Sequence, residues 1–431
     1  MKRKLKVGVV TLGCSKNTVD SERLINQFEA NEFKVVTDPN TADVVIINTC
    51  GFIEAAKEES INAILNAVEL KRSGKIKKVF VSGCLSQRYL DDLKKEIPEA
   101  DSFFGTEDYK GILEELGAEL KYELLGERSI STPNHYAYLK ISEGCDHPCS
   151  FCAIPLIRGK YRSFPIEELI LEAGNLAKKG VKELLIIGQD TTEYGIDIYG
   201  KRNISELLQK LSEIKGIEWI RLLYSYPSYF PEDLIDEIAS NPKICKYIDI
   251  PLQHISDNIL KSMRRGITGK RTKLLVEKIK KKIPGITLRT TFITGYPGET
   301  KEDFAELCKF VKETGFDRLG VFTYSAEEDT AAFKLEDNVP SSEKNKRKNR
   351  LMKLQQKISY KKNLSMVGKT LKVIIDDEES DYYIGRSERD APEVDGEIII
   401  YKTSKKLKTG NFYNIEIIDC NEYDLTGKII S

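Results

Sequence analysis

The chain has 431 residues, and its 67 Lys plus Arg balance 67 Asp plus Glu, so no global field marks a polyanion binder and any such signal is local. At roughly 150 residues per domain the length predicts about three domains, and no apolar stretch approaches the about 20 residues of a membrane span. The basic start runs directly into a strand-like apolar run at 7–10 with no signal peptide, and the nine cysteines are an odd number. Together these predict a cytoplasmic protein with reduced, metal-binding thiols in place of disulfides.

Up to about residue 120, short apolar runs at 7–11, 43–47 and 78–81 alternate with amphipathic helical patterns at 21–30, 53–70 and 87–96. This alternation predicts an open parallel sheet with crossover helices. Cys14 follows the first strand, Cys50 the second and Cys84 the third. All three fall at the carboxyl edge, where open α/β sheets bind ligands. Gly13, Gly51 and Gly83 stand beside them and let the backbone approach a bulky group. A lone cysteine after a strand is commonly a small buried hydrophobe. Three at equivalent topological places read instead as ligands of a metal cluster with one position open.

A charged connector at 122–134 contains Ser-Thr-Pro-Asn and reads as a linker. Beyond it, six strands are expected at 136–141, 183–187, 219–223, 247–250, 287–293 and 319–323, separated by helical patterns. Six such units suit a partial barrel whose site lies at the carboxyl ends of its strands. Just after the first of them come Cys145, Cys149 and Cys152, in a polar turn with Gly144, Asp146, His147 and Pro148. A structural zinc site normally closes with four protein ligands, whereas a site that binds substrate keeps one position open. Zinc completed by His147 is the competing reading, although the short loop would strain to fold back. Gln189 and Asp190 follow the second strand, and Arg289 lies on the fifth, its guanidinium fork suited to a carboxylate.

Residues 340–365 read as a basic helix, with Lys344, Lys346, Arg347, Lys348 and Arg350 in one run. From 367 onward, β-branched alternating runs between Gly, Asp and Pro turns predict a small antiparallel β-barrel. From Met366 to the end, nine Lys plus Arg face 14 Asp plus Glu. Such a barrel repels a phosphate backbone and attracts a basic protein.

The spacing of Cys145, Cys149 and Cys152, with Phe151 just before the last, resembles the signature of radical S-adenosylmethionine (SAM) enzymes. That resemblance implies a 4Fe-4S cluster whose free iron takes SAM and cleaves it to a 5′-deoxyadenosyl radical. It also places SAM contacts at Phe151, Gln189, Asp190 and Arg289. The whole chain is similar to the methylthiotransferases, built from a cluster domain, a radical SAM barrel and a TRAM domain. Leu-Gly-Cys-Ser-Lys-Asn at 12–17 with Asp20, Ser21 and Glu22, Asn-Thr-Cys-Gly-Phe-Ile at 48–53, and Cys-Ala-Ile-Pro-Leu-Ile-Arg-Gly at 152–159 with Arg162 and Ser163 resemble one branch in particular. That branch modifies an aspartate of a small-subunit ribosomal protein. Transfer-RNA members tend to carry Asn-Thr-Cys-Ser-Val-Arg at the second place, and Ser15 stands where proline is more usual.

The resemblance implies a second 4Fe-4S cluster on Cys14, Cys50 and Cys84 that carries the sulfur, and SAM as both radical source and methyl donor. It implies transfer of a methylthio group to the aspartate β-carbon, with no residue assigned as general acid or base. The expected division is 1–122 for the cluster domain, 123–134 for the linker, 135–362 for the radical SAM domain and 363–431 for the TRAM domain. Expected partners are the ribosomal protein on the ribosome and an electron-donor protein, with no membrane and with any RNA contact outside the TRAM domain; the basic run at 344–350 is most commonly a solvated helix face, with nearby ribosomal RNA as the sharper reading. The alternatives are a transfer-RNA adenosine methylthiotransferase and a non-enzymatic iron-sulfur or zinc protein that binds the ribosome.

Overall fold

The computed structural model describes residues 4–124 and 126–430, which fall into two compact units. The first unit comprises the chain up to residue 132 together with 138–147 and 152–175; the second comprises 133–137, 148–151 and everything from 176 onward.

In the first unit, β1 (Lys6–Thr11), β2 (Lys34–Val36), β3 (Val44–Thr49), β4 (Lys78–Gly83) and β5 (Ser102–Phe103) form an all-parallel sheet in the order β2-β1-β3-β4-β5. Successive side chains of the central strands serve opposite faces. Val45, Ile47, Val79 and Val81 pack with Ile64 and Val68 of α2 (Glu54–Arg72). Val44, Ile46 and Phe80 pack with Leu24 and Phe28 of α1 (Ser15–Ala30). Both faces are covered, as a parallel sheet requires. The strand order reverses between β1 and β3, and the crevice outside the carboxyl ends at such a reversal is where doubly wound sheets bind ligands. The edge strands β2 and β5 are three and two residues long, too short to leave a periodic signal, which is why the sequence suggests only three strands here.

The unit continues with α3 (Cys84–Arg88), α4 (Leu90–Glu96) and α5 (Tyr109–Glu115), then the segment around α6 (Ile154–Arg158). The connector expected as a linker is tied down. Arg128 is fully buried, its guanidinium 2.8 Å from Glu22 and 2.9 Å from Glu172, and the Ser131 N–H donates to Glu22 at 2.7 Å. The one cation of this stretch, Arg128, is thus matched inside the unit, while Glu123 and Glu127 are exposed.

The strands of the second parallel sheet are β6 (Tyr136–Lys140), which opens in the second unit, then β9 (Glu183–Ile187), β10 (Trp219–Leu222), β11 (Ile244–Asp249), β12 (Thr287–Thr294) and β13 (Arg318–Thr323). The short pair β7 (Ser142–Glu143) and β8 (Arg162–Ser163) lies between β6 and β9 in the chain, within the first unit. The six-stranded order is β13-β12-β11-β10-β9-β6, with every strand beside its neighbour in sequence. That is the winding of a partial (βα) barrel, without the reversal seen in the first sheet. A 24-residue helix, Ser341–Leu364, leads to β14 (Thr370–Glu378), β15 (Tyr382–Ser387), β16 (Ile398–Tyr401), β17 (Phe412–Cys420) and β18 (Leu425–Ile429). These close into a barrel around Val373, Ile375, Ile398, Ile400, Ile415 and Ile417. Its pairs are antiparallel except β16 with β18, which run parallel. Among the described residues, no helix is long and apolar enough to cross a membrane.

Within the second unit one buried carboxylate joins the first complete strand of the parallel sheet to the terminal barrel. Glu183 of β9 takes Arg221 Nε of β10 at 2.7 Å and Arg386 Nη2 of β15 at 2.9 Å. Burial pushes the Glu183 carboxyl up, and the two guanidiniums more than offset it, leaving the group below its ordinary value. Glu183→Gln leaves both cations facing a neutral amide and is expected to cost about 3 kcal/mol or more in urea unfolding of the full chain. Because the folded value is depressed, this contribution is fully present above the unfolded carboxyl value of about 4.3 and is lost as the pH falls below it. The wild-type and variant unfolding midpoints should therefore differ most at neutral pH and converge on acidification.

Candidate cluster-binding sites

The three upstream cysteines meet at the reversal of the first sheet. Cys14 ends the loop after β1 and immediately precedes α1, Cys50 follows β3, and Cys84 opens α3 directly after β4. Cys50 and Cys84 are buried, and Cys14 is half-buried. Glycines make the closeness possible. A Cβ on Gly13, whose φ is +90°, would lie 2.6 Å from Cys50 Cβ and 2.9 Å from its sulfur, and one on Gly51 would lie 2.8 Å from Leu85 Cα.

One side chain ties the loops together. Asn17, fully buried on the first turn of α1, donates from Nδ2 to the carbonyls of Leu12 at 2.8 Å and Thr49 at 3.0 Å. Its Oδ1 lies 3.6 Å from Cys84 Sγ and accepts from Arg158 Nη2 at 2.6 Å. Asn17 thus touches the exits of β1 and β3 and the thiol after β4. Arg158 is itself held by Asp20 at 3.1 Å and Glu143 at 3.0 Å. Burial pushes the Cys84 thiol up to about 12 and raises Cys50, while the Arg158 guanidinium opposes both. A soft, all-sulfur donor set in a dry crevice suits iron-sulfur ligation, because binding iron supplies the positive charge that releases these thiol protons.

The downstream cysteines follow β6 in the chain. In the first unit, the Cys145 N–H donates to Gly159 O at 3.1 Å, and a Cβ on Gly144 (φ +74°) would lie 2.0 Å from Lys160 O, so the turn that presents Cys145 admits only glycine there. Ala153, the residue after Cys152, is buried against Cys84 together with Ile157. In the second unit, Cys149 Sγ lies 3.5 Å from Tyr226 Oη and 3.3 Å from Arg265 Nη1. Arg265 also stacks on the Tyr226 ring at 4.2 Å. Ser150 is gripped at three points: its N–H by Met263 O at 3.1 Å, its hydroxyl by Ser262 O at 2.8 Å and by Tyr296 Oη at 2.8 Å. These partners come from segments after β11 and β12, so Cys149 is fixed at the carboxyl edge of the barrel. Gly144 thus sets Cys145 in the first unit, and Ser150 and Arg265 set Cys149 in the second.

Phe151 packs with Ile259, Met263, Tyr296 and Tyr324. Gln189 and Asp190 lie just past β9, and the buried Asp190 carboxylate accepts from Thr192 N at 2.7 Å and Thr192 Oγ1 at 2.6 Å, shaping that loop. Arg289 departs from the reading given to it. It sits near the amino end of β12, where it pairs with Asp249 at 3.3 Å and Asp395 at 3.5 Å, and Thr294 is the residue that reaches the carboxyl end. Its fork does bind carboxylates, but they are the protein's own, so we assign it a structural role. Arg265 and Tyr226 escape sequence reasoning because they are distant from any motif, whereas Tyr296 lies in the Gly-Tyr-Pro-Gly-Glu stretch at 295–299 that follows the fifth strand. Asn17 and Arg158 do fall inside quoted motifs, and their spacing from cysteines was the available signal. Asn17→Ala removes both loop contacts, at about 1–3 kcal/mol for the stranded buried carbonyls. In the metal-free chain the Cys50 and Cys84 thiols should then react with a maleimide at least several-fold faster, with helix content by circular dichroism unchanged.

Residues 6–105 match the model of uncharacterized protein family UPF0004, residues 139–311 that of the radical SAM superfamily and residues 367–430 that of the TRAM domain. The chain is 53% identical over 426 residues to the ribosomal protein uS12 methylthiotransferase RimO of Christiangramia forsetii, covering 99% of this chain and 94% of that protein. It is 52% identical over 433 residues to RimO of Bacteroides fragilis, covering 100% of both. Among solved structures, the radical SAM methyltransferase TsrM from Kitasatospora setae superposes with a TM-score of 0.55 at 14% identity over 77% of each chain, a likeness of fold alone. The radical SAM match implies SAM and a 4Fe-4S cluster. With full-length identity above half to these relatives, the chain belongs to the ribosomal protein uS12 methylthiotransferases, a radical SAM family.

Proposed function

We propose that this protein transfers a methylthio group to the β-carbon of an aspartate in ribosomal protein uS12, with Cys145, Cys149 and Cys152 holding one 4Fe-4S cluster and Cys14, Cys50 and Cys84 holding a second. The observation that carries this reading is the packing of Ala153 and Ile157, on the segment that begins at Cys152, directly against Cys84. One thiolate set alone would fit any radical SAM chemistry, whereas a second set gives a place to keep sulfur. When bound, the first cluster with SAM supplies a 5′-deoxyadenosyl radical able to take hydrogen from an unactivated carbon, and the second supplies a methylated sulfur.

The chain's own residues hold this arrangement. Arg265 donates from Nη1 to Cys149 Sγ, and Tyr226 Oη lies against the same sulfur, so the two hold that thiol in position. Tyr296 fixes Ser150 and, with Phe151 and Tyr324, lines an apolar wall that excludes water from a reactive carbon centre. Asn17 and Arg158 keep the upstream cysteine loops in register. Phe151, Gln189 and Asp190 are the SAM-contacting candidates, Asp190 through the loop that it shapes. The acidic terminal barrel suits a basic ribosomal protein. We retain the division into 1–122, 123–134, 135–362 and 363–431 as functional segments, a separate electron-donor protein as reductant and a cytoplasmic setting.

Incubation with SAM, a reductant and uS12, followed by mass spectrometry, is expected to show one methylthio mass gain on an aspartate; methylthioadenosine in transfer RNA with no change in uS12 would transfer the chain to the sibling reaction. Cys84→Ala is expected to keep 5′-deoxyadenosine release within a few-fold of wild type and to abolish methylthio transfer. Loss of both activities would show that the two thiolate sets do not have separate roles.

A further inference from the structure

The long helix before the terminal barrel, Ser341–Leu364, has two faces of opposite character. Its inner cations are matched: Arg347 pairs with Glu299 at 3.3 Å and Glu343 at 3.1 Å, Lys362 with Asp317 at 2.8 Å, and Lys344 with Asp337 at 2.5 Å. Gln355 and Asn363 complete the seam by donating to Phe316 O at 3.0 Å and Asn421 O at 3.1 Å. The outer face carries Lys346, Arg350, Lys353, Lys357 and Lys361, all exposed. Their spacing of four, three, four and four residues sets them in one line along the helix. At roughly 1.5 Å per residue that line runs about 22 Å.

This stripe is not an ordinary solvated face. Such faces commonly intersperse both signs and gain from i,i+4 pairs. Here the helix has nine Lys plus Arg and a single acidic residue, Glu343, which points inward to Arg347. Among the described residues none of the five outer cations forms an ion pair. On the helix Lys301–Thr314, Glu306 pairs with Lys273 at 3.5 Å and Glu313 with Lys309 at 3.8 Å. The chain as a whole is neutral, so the excess is local and not a consequence of bulk basicity.

We propose that the exposed face of this helix docks the phosphate backbone of RNA, and, resting on the proposed uS12 reaction, that the RNA is the small-subunit ribosomal RNA around the substrate protein. A line of unpaired cations on a rigid rod matches a linear polyanion, whose binding needs charge at intervals and releases counterions. An acidic protein partner would call for a buried apolar anchor in the interface, and a membrane surface for an apolar face beside the basic one. Tyr360 and Leu364, both at the end of the helix, are its exposed large apolar residues. The RNA contact therefore lies on this helix, and the acidic barrel is left for protein.

The test uses the full, cluster-loaded chain and a fluorescently labelled duplex of small-subunit ribosomal RNA, with binding followed by anisotropy across a salt series. Replacing Lys346, Arg350, Lys353, Lys357 and Lys361 together by Gln is expected to weaken binding roughly tenfold or more at physiological ionic strength and to flatten the salt slope by about four. Replacing the four lysines by Arg should keep the affinity. Gln at Lys75, Lys201, Lys215, Lys405 and Lys406, exposed positions scattered over other surfaces, is the control and should change it little. An equal loss in that control, or no loss in the stripe variant, overturns the proposal. So does unchanged RNA affinity combined with lower modification of uS12 in assembled particles, which would make the stripe a protein-docking face. Methylthio transfer to isolated uS12, read separately, is expected to survive in the stripe variant; its absence in the wild type would count against the reaction and leave the RNA measurement standing.

Discussion

The first unit depends on the buried polar face of α1, and on Asn17 at its start. A helix that packs on a sheet ordinarily turns an apolar stripe inward, and α1 does so with Leu24 and Phe28. It also buries Asn17, Asp20, Glu22, Arg23 and Gln27. Unpaired, such groups would each cost several kcal/mol, so their burial is tolerable only because the rest of the unit supplies partners. Asp20 meets Lys140 and Arg158, Glu22 meets Arg128, and Arg23 meets Glu172 at 3.2 Å. Lys140 closes the set by pairing with Glu143 at 2.7 Å. These partners come from segments far apart in sequence, which one polar helix face draws together. At its head this network ends on Asn17, and there it becomes the frame of three thiols.

Much of this arrangement was legible before any coordinates. The strands at 43–47, 183–187 and 219–223 are mostly apolar, each with a single charged residue, and are buried on both sides, and such runs announce themselves. The positions of Cys14, Cys50 and Cys84 past β1, β3 and β4 were legible for a topological reason, since the carboxyl edge of one parallel sheet brings such strand ends to one side. The amino-terminal part of α1 was harder to read. Its Ser15 to Glu22 stretch is polar, and polar residues inside a helix look like surface until their partners are known. The connector near Arg128 was misleading for the same reason, because sequence shows charge but not its counter-charge. Arg289 illustrates the limit in the other direction: its chemistry was foreseeable and the strand was correct, but which end of the strand it occupies relative to the cysteines decides its role.

The same physics explains the contrast between the two charged helices. On α1 the charges of Asp20, Glu22 and Arg23 are inside, and their four ionic partners, Lys140, Arg158, Arg128 and Glu172, are neighbours in the fold. On the helix Ser341–Leu364 the inner cations are satisfied in the same manner, while among the described residues none of the outer line forms an ion pair. Glu183, clasped by Arg221 and Arg386, shows how far this chain goes to pair a buried charge. Against that background an unpaired row of cations stands out as surface kept for something else. The terminal barrel, with its excess of acids, complements it: one surface suited to phosphate and another to a basic protein, on a chain whose total charge is zero.

The central claim is that the chain carries two thiolate sets, each sufficient for its own four-iron cluster. Iron and acid-labile sulfide analysis after anaerobic reconstitution tests it most directly, in the wild type and in two variants lacking either Cys14, Cys50 and Cys84 or Cys145, Cys149 and Cys152. Two 4Fe-4S clusters correspond to about eight irons per chain in the wild type and about four in each variant. About four irons in the wild type, with one triple variant retaining all of them and the other retaining none, would contradict the account.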